Sequence, residues 1–570
     1  MFQSSLHYLL LEAFVVGMAL VASRWKAWLC LASRMETALK SISRRPALCF
    51  WMIFAAAILV RLALLPVEPL PTPLLHDEFS YLLAADTFAH GRLTNPPPPV
   101  PAAFETFHVN VWPSYQSMYL PGTGLALAVG QLLGSPWIAV LLTSALFCAL
   151  VDWAVSGWLP RQYGLAAALI AMSVCLDWNH WFDNYFCLGL TAAAGALVIG
   201  SIPRIYHHRT AASTLPLGIG LCTFLLTRPY EGCMVSLPAL LPLLWMLRRT
   251  GWKALIRLVA TPLLMLLFTF GWLCYYNWRG TGHPLLFPYV VNYEQYHITG
   301  PFIFSRPRPV PVYHHDSMRN FYTHWEMSTY RMVTRHPMQF LRLKVKAYYR
   351  VFFAGNGLLL LLGLVAAVRK HSPFASLAFS FAGFLTVLAL MAWYPYPQYG
   401  APAAAVFLTL IALGLFTLRR IQVRCWHGTD LVRGWVLAQL LLTANIFYEN
   451  WMKSPLPAEP RYASMERQKV EHLLQHYPGK HLCLVQYSLD HPGVQEWVYN
   501  GADLNSQRIL WARSMDPDND RKLIQAFPGR RVWLLRPDTP AQNLITYSSD
   551  LAWPNPNQKI VARTTPPPPP

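Results

Sequence analysis

Charge is scarce in this chain. Asp, Glu, Lys and Arg make up 13% of its 570 residues, about half of the roughly 25% that is ordinary for a soluble domain. With 54% hydrophobic residues, that scarcity excludes a soluble globular protein and points to a polytopic membrane protein. Acidic residues are the scarcer sign, 27 against 46 basic, which leaves a net charge of +19. The basic residues come as short clusters between apolar runs, the pattern of cytoplasmic loops, and form no patch that would serve nucleic acid. Cysteine supplies no framework either. Nine of the ten lie in or beside apolar runs and Cys483 stands alone in the polar C-terminal region, so that region holds no internal disulfide and the chain no CxxC metal motif. The chain start lacks a basic n-region and a small-residue cleavage site, so residues 7–23 are expected to remain as a helix.

What is present is a series of apolar runs long enough, or nearly so, to span a bilayer at about 20 residues each. They fall at 7–23, 47–66, 136–156, 163–178, 185–202, 212–228, 232–247, 254–275, 351–368, 373–393, 400–418 and 432–450, twelve expected spans. Running the second span outward places Arg24, Lys26, Arg44, Arg45, Arg161, Arg204, Arg248, Arg249, Arg369, Lys370, Arg419 and Arg420 in cytoplasmic loops, and the reverse topology breaks the positive-inside rule at nearly every loop. The expected division is an extra helix and basic loop at 1–46, a transmembrane domain at 47–450 with large outer loops 67–135 and 276–350, and an extracytoplasmic α/β domain at 451–570.

The first outer loop predicts an amphipathic helix at 78–90 and a short apolar one at 122–133, both expected along the membrane surface. The C-terminal region predicts a helix at 462–476, strands at 481–487, 507–513 and 531–535, and a helix at 518–527. No glycine-rich phosphate loop accompanies it, so it is assigned no catalytic role. Pro566–Pro570 is expected to be disordered.

Ionisable residues at a membrane boundary are costly and mark function by default. The outer face gathers His76, Asp77, Glu78, Asp86, Glu105 and His108 in the first loop, Asp177, His180 and Asp183 beside a short one, Arg228 and Glu231 at the next turn, and Tyr394, Tyr396, Gln398 and Tyr399 at the last. Asp77 is the preferred general base for a hydroxyl, although adjacent acids also cap helix starts. Glu105 and His108, at i and i+3, suit a metal on a helix or a solvated loop equally. Asp177, His180 and Asp183 alternate with Trp178 and Trp181, which suits a site or an aromatic belt. Arg228 suits a lipid phosphate or headgroups. Arg342, Lys344, Lys346 and Arg350 precede an outward-starting span against the charge rule, which suggests an anionic lipid partner.

The run Asp77-Glu78-x-x-Tyr81-x-x-x-Ala85, followed by Gly91 and by Tyr119-x-Pro121-Gly122, resembles the first extracytoplasmic loop of family-39-like membrane glycosyltransferases of the GT-C class, which include protein O-mannosyltransferases and aminoarabinose transferases. Looser resemblance extends over residues 47 to about 420, through Arg228-Pro229-Tyr230-Glu231-Gly232 and Gln398-Tyr399-Gly400-Ala401-Pro402. It implies a GT-C-like α-helical membrane fold, with Asp77 as catalytic base and Glu78 as its partner. It implies a polyprenyl-phosphate-linked sugar as donor, Arg228 and neighbouring cations on its phosphate, and Tyr81, Trp112, Tyr289 or Tyr399 against sugar or prenyl chain. Asp177 and Asp183, with His180 between them, resemble the positions that hold a divalent metal cation in some of these enzymes. One departure is Met118-Tyr119-Leu120-Pro121, where many relatives carry a Lys before the prolines.

A glycosyltransferase acting at the outer face of a bacterial inner membrane is therefore the expected function. The absence of Asn-x-Ser/Thr sequons from the outer segments agrees with that membrane. The alternative is a transporter or flippase of a lipid-linked or small polar substrate, for which Arg61 and Asp152 would be the mid-span charges.

Overall fold

The computed structural model describes residues 5–176, 181–248, 251–369, 372, 374–392, 396–423, 426–453, 463–539 and 543–552. The expected proline-rich end, Pro566–Pro570, lies outside them. Each of the twelve apolar runs contains a helix, from Ser5–Ala22 to Gly428–Lys453. Among the described residues, five helices are long and apolar enough to cross a membrane, or up to seven if each of two bent pairs is one span. The expected count of twelve is therefore not reached on length and composition. One reason is visible at 351–368, where the apolar run is split: Pro337–Phe353 meets Gly357–Ala367 at 96°. The break carries Gly355 at φ +72°, a left-handed conformation that glycine adopts without steric cost.

Helices Pro136–Trp158 and Leu188–His208 form the buried centre, while Trp252–Thr281 keeps most of its apolar side chains outward. Small residues make the centre possible. A Cβ on Gly189 would lie 2.3 Å from the Ser144 nitrogen, so the two backbones are in direct contact there. Without a hydrophobic force between helices in lipid, such close backbone approach is a main source of association.

Two segments outside the bundle shape the site. The first holds the helices His76–Ala89 and Pro121–Leu132 and a two-residue ladder pairing Val109–Asn110 with Gln116–Ser117. The second holds Pro288–Tyr296, a π-helical turn Phe321–Glu326, and helices Met327–Arg335 and Pro337–Tyr348. The helix expected at 78–90 runs from His76 to Ala89 and is covered by protein: Glu78, Ser80, Tyr81, Leu83, Ala84, Ala85 and Thr87 are all buried. Its neighbour Pro121–Leu132 packs on it through Gly124, where a Cβ would come within 2.6 Å of the Ala84 methyl. From above it is covered by the C-terminal sheet domain, with Leu83, Phe104, Val109 and Tyr115 sharing one apolar cluster with Leu482, Leu510 and Phe527.

That sheet runs in the order Ile509–Arg513, Lys480–Val485, Arg530–Arg536, Asn543–Thr546, the first three parallel and the last antiparallel. The parallel strands are continuous apolar runs because both faces are covered. The fourth strand, four residues long, gave no signal in the sequence.

The crossing of Gly357–Ala367 with Ala404–Leu418 is set by a reciprocal pair of glycines. A Cβ on Gly363 would lie 1.9 Å from the Leu410 carbonyl oxygen, and one on Gly414 2.0 Å from that of Leu359. Gly414→Ala is expected to force the helices apart and to cost about 1–3 kcal/mol, read as a lowered unfolding midpoint in detergent.

Candidate active site

Two prolines, Pro71 and Pro73, precede an extended Leu75 at φ −110°, ψ 153°, and the helix starts at His76. Asp77 and Glu78 thus sit in its first turn, where the exposed N–H groups favour negative charge. Successive helical positions point about 100° apart, and the two acids part company. Glu78 turns inward: one oxygen accepts the Leu74 and Leu75 N–H groups at 2.8 and 2.9 Å, the other the Tyr185 N–H at 3.0 Å. Burial pushes its pKa up to about 7, against the pull of those three donors. Asp77 turns the other way, into a cavity of about 260 Å³.

The cavity lies where the two outer segments meet the bundle. Its walls are Asp77, Tyr81, His108 and Tyr119 from the first segment, Arg228 and Glu231 from the turn between helices Ala211–Thr227 and Pro229–Leu247, Tyr289, His297 and Glu326 from the second segment, and Gln398 and Tyr399 from the last turn. Asp77 Oδ1 accepts a short hydrogen bond from the Tyr119 hydroxyl and stands 3.7 Å from His108 Nδ1. The same hydroxyl lies 3.2 Å from His108 Nδ1. Burial pushes the Tyr119 phenol up, with Asp77 adding to the effect, and it pushes the His108 imidazole down. Tyr119 therefore stays a donor, and Asp77 has a fixed proton partner on one oxygen. His108 is held at φ +60°, a conformation that costs a non-glycine residue about 1–3 kcal/mol and survives where the surroundings enforce it. They do so here through its carbonyl, which accepts from Ser80 Oγ at 2.6 Å and from the Met118 N–H at 3.1 Å.

Across the cavity Arg228 Nη1 donates to Glu231 Oε1 at 3.3 Å, and its guanidinium lies 4.9 Å from the centre of the Tyr399 ring. On the third side His297 Nδ1 lies 2.9 Å from Glu326 Oε2, with the Tyr293 ring stacked on the imidazole at 4.0 Å. Glu326 Oε1 accepts the Ile298 and Thr299 N–H groups and the Thr299 hydroxyl.

Of the residues singled out in the sequence, Asp77, Tyr81, His108, Arg228, Glu231, Tyr289, Tyr396, Gln398 and Tyr399 are among those that line this one cavity. Others do not. Glu78 is spent on backbone N–H groups. Lys344 is corrected: its ammonium is buried and donates to the Leu388 and Met391 carbonyls at 2.5 Å each, neutralising the C-terminal end of helix Ala375–Leu390. Its place against the charge rule is thus a helix-end contact within the fold. Lys346 does not line the cavity. Asp183 is bonded to the buried Arg61 guanidinium at 2.5 Å, and Asp177 and His180 lie outside the described residues. Among the described residues no three His, Cys, Asp or Glu side chains converge to hold a metal. Glu105, buried, pairs with His314 and His315 and is not on a helix with His108.

Sequence reasoning missed Tyr119 as partner of Asp77, and missed His297 and Glu326 altogether. The only local sign of the latter pair is the π-helical turn that ends on Glu326, a feature common at functional sites and unreadable from composition.

No family model matches the chain, and no curated protein matches it. Among solved structures, the oligosaccharyltransferase of Archaeoglobus fulgidus tethered with an acceptor peptide containing the NVT sequon is similar at a TM-score of 0.45 and 10% identity, over 85% of this chain and 68% of that one. The same enzyme in its apo form gives 0.44 and 10%, over 85% and 69%. The archaeal oligosaccharyltransferase AglB from that organism, in complex with an inhibitory peptide and a dolichol-phosphate, gives the same values. Likeness of this extent does not define an activity, which rests on the side chains.

Both oxygens of Glu78 act only as acceptors. Glu78→Gln turns an amide NH₂ toward backbone N–H donors and is expected to cost about 1–3 kcal/mol, the range for a buried polar group left without a partner. The unfolding midpoint in detergent measures it.

Proposed function

We propose that this protein is a GT-C-class membrane glycosyltransferase that moves a sugar from a polyprenyl-phosphate donor to an acceptor hydroxyl at the extracytoplasmic face. The observation that carries the reading is the shared cavity: an aspartate held by a phenol opens into the same space as a guanidinium stacked on a tyrosine. A carboxylate that can take a proton opposite a cation that can hold a leaving phosphate is the minimum for displacement at an anomeric carbon. The distribution of Lys and Arg supports the outward orientation of that cavity.

In this mechanism the acceptor oxygen attacks the anomeric carbon as its proton passes to the free oxygen of Asp77. The bond from anomeric carbon to phosphate oxygen breaks, its electron pair leaves with the polyprenyl phosphate, and the configuration inverts. Tyr119, donating to the other Asp77 oxygen, fixes which oxygen receives the proton. Arg228 holds the departing phosphate charge; Glu231 aligns the guanidinium and offsets part of its charge, so the site is poised for an anion without a bare buried cation. Tyr81, Tyr289 and Tyr399 supply ring faces for sugar or prenyl chain. Glu78 serves by fixing the helix that carries Asp77.

The transporter reading loses one of its two mid-span charges, Asp152 remaining within helix Pro136–Trp158. Arg61 stands in the last turn of helix Pro46–Ala63, and it is bound by Asp183 and by the Glu68 carbonyl at 3.0 Å.

Undecaprenyl-phosphate-linked hexoses and pentoses, offered with an envelope extract as acceptor, test the reading through release of undecaprenyl phosphate. Asp77→Asn is expected to lower turnover by about 10²–10⁴-fold, the usual weight of a general base, with folding unchanged; full turnover in this variant removes Asp77 from the role. Arg228→Ala is expected to raise the donor KM and to lower kcat, and an unchanged donor dependence would remove the phosphate assignment.

A further inference from the structure

The loop between strands Lys480–Val485 and Ile509–Arg513 leaves the sheet domain and reaches the cavity, where Val494 forms part of the wall. The carbonyl of Gly493 lies 2.8 Å from His76 Nε2. A carbonyl only accepts, so Nε2 carries the hydrogen. Burial pushes the His76 pKa down to about 4, with His108 acting in the same direction, and the ring is neutral at ordinary pH. Its ring stacks on Phe107 at 4.4 Å and stands near Phe321 at 5.6 Å. Gly493 closes this nest: a Cβ there would meet Phe107 and Phe321 atoms at 3.1 Å, one ring from each large outer segment. The next residue along the helix from His76 is Asp77.

The loop is itself rigid. Glu496, buried, pairs with Arg513 and accepts from the Tyr487 hydroxyl at 2.5 Å and the Trp497 and Val498 N–H groups at 3.0 and 2.9 Å. His491 bridges Asp538 at 2.7 Å and the Gln495 carbonyl at 3.0 Å. Tyr499 stacks face to face on Phe79 at 4.1 Å. Arg513 extends the same network to the Glu105 carbonyl at 2.7 Å and Ser317 Oγ at 2.9 Å. A segment fixed this thoroughly, and touching His76 and Phe79, one and two residues from Asp77, has the form of a supporting shell for a reacting group.

We propose, on the basis of the transferase reading, that the loop Leu489–Tyr499 is a fixed wall of the reaction chamber and that His76 is the positioning residue through which the C-terminal domain holds Asp77 toward the acceptor hydroxyl. The domain then sets the aim of the base and leaves donor binding to Arg228 and its neighbours. Packing alone would be served by any ring at position 76; the hydrogen bond to Gly493 is what a donor must supply.

The full-length protein in detergent, turning over the undecaprenyl-phosphate sugar that the wild type uses, separates these roles. His76→Phe keeps a ring against Phe107 and deletes the donor; His76→Gln keeps a donor. The expected result is a kcat lowered about 10- to 100-fold in His76→Phe, the scale of misplacing a reacting group by an ångström, at unchanged donor KM, with most of it recovered in His76→Gln. Gly493→Ala, which displaces the other end of the bond, gives the same kcat loss. Amide hydrogen exchange over residues 76–80, measured on the same samples, is faster in His76→Phe and Gly493→Ala and close to wild type in His76→Gln. Equal kcat in the Phe and Gln variants, or exchange unaltered in all three, overturns the proposal. A wild type that transfers no sugar overturns the transferase reading instead, and the exchange pattern then decides by itself whether the His76–Gly493 bond holds the helix start.

Discussion

The buried carboxylate of Glu78 is the fixed point of the helix that carries Asp77. A carboxylate taken from water costs several kcal/mol unless its oxygens are met by donors, and here three backbone N–H groups from two distant stretches meet them. Two of these close the start of the helix on itself. The third, from Tyr185, fastens that helix to the short turn before Leu188–His208. The same turn is held from the other side by Arg61 on Asp183, by Trp137 Nε1 on the Phe182 carbonyl at 2.7 Å and by Ser144 on the Trp181 carbonyl at 3.1 Å. The turn thus works as a socket, and the acid that plugs into it fixes the direction of its neighbour. Asp77 can face the cavity because Glu78 cannot leave the socket.

The acids of the first and second outer loops divide into two kinds on this basis, and the sequence does not distinguish them. Asp77 and Glu78 are adjacent, carry the same group and share a first helical turn. What separates their roles is the rotation of the helix against a turn about a hundred residues later, which is a tertiary fact. Asp183 has the composition of a metal ligand and the position of a strut. By contrast, the helical runs and the meeting of Asp77, Arg228, Glu231 and Tyr399 around one cavity were legible. Each depends on spacing and boundary position, which a single chain records directly.

Two misreadings have the same physical source. Lys344 breaks the positive-inside pattern only if every cation is assumed to face water or lipid; the end of a helix is a third place for one, because its last carbonyls lack partners. The helix expected at 78–90 is too short to span, and the sequence assigns its apolar positions to the membrane surface. They are completed by a domain four hundred residues later, whose strand ends and connecting loops cover Leu83 and Phe79.

The placement of the C-terminal domain has a consequence for the chemistry. A cavity bounded only by the two outer segments would rely on long irregular chain for its shape, and irregular chain moves unless its polar groups are paired. Arg513 supplies that pairing from a strand of the sheet: its guanidinium, almost wholly buried, joins Glu496 of its own domain, the backbone of the first segment at Glu105 and the side chain of the second at Ser317. A buried cation with one partner would be a liability, whereas one distributed over three chain segments exchanges its hydration for contacts that exist only when all three are in place. The sheet gives the guanidinium a rigid origin, and the two loops gain a common reference. The parallel strands that seemed unrelated to the membrane half of the chain are then the scaffold against which the cavity that holds Asp77 is set.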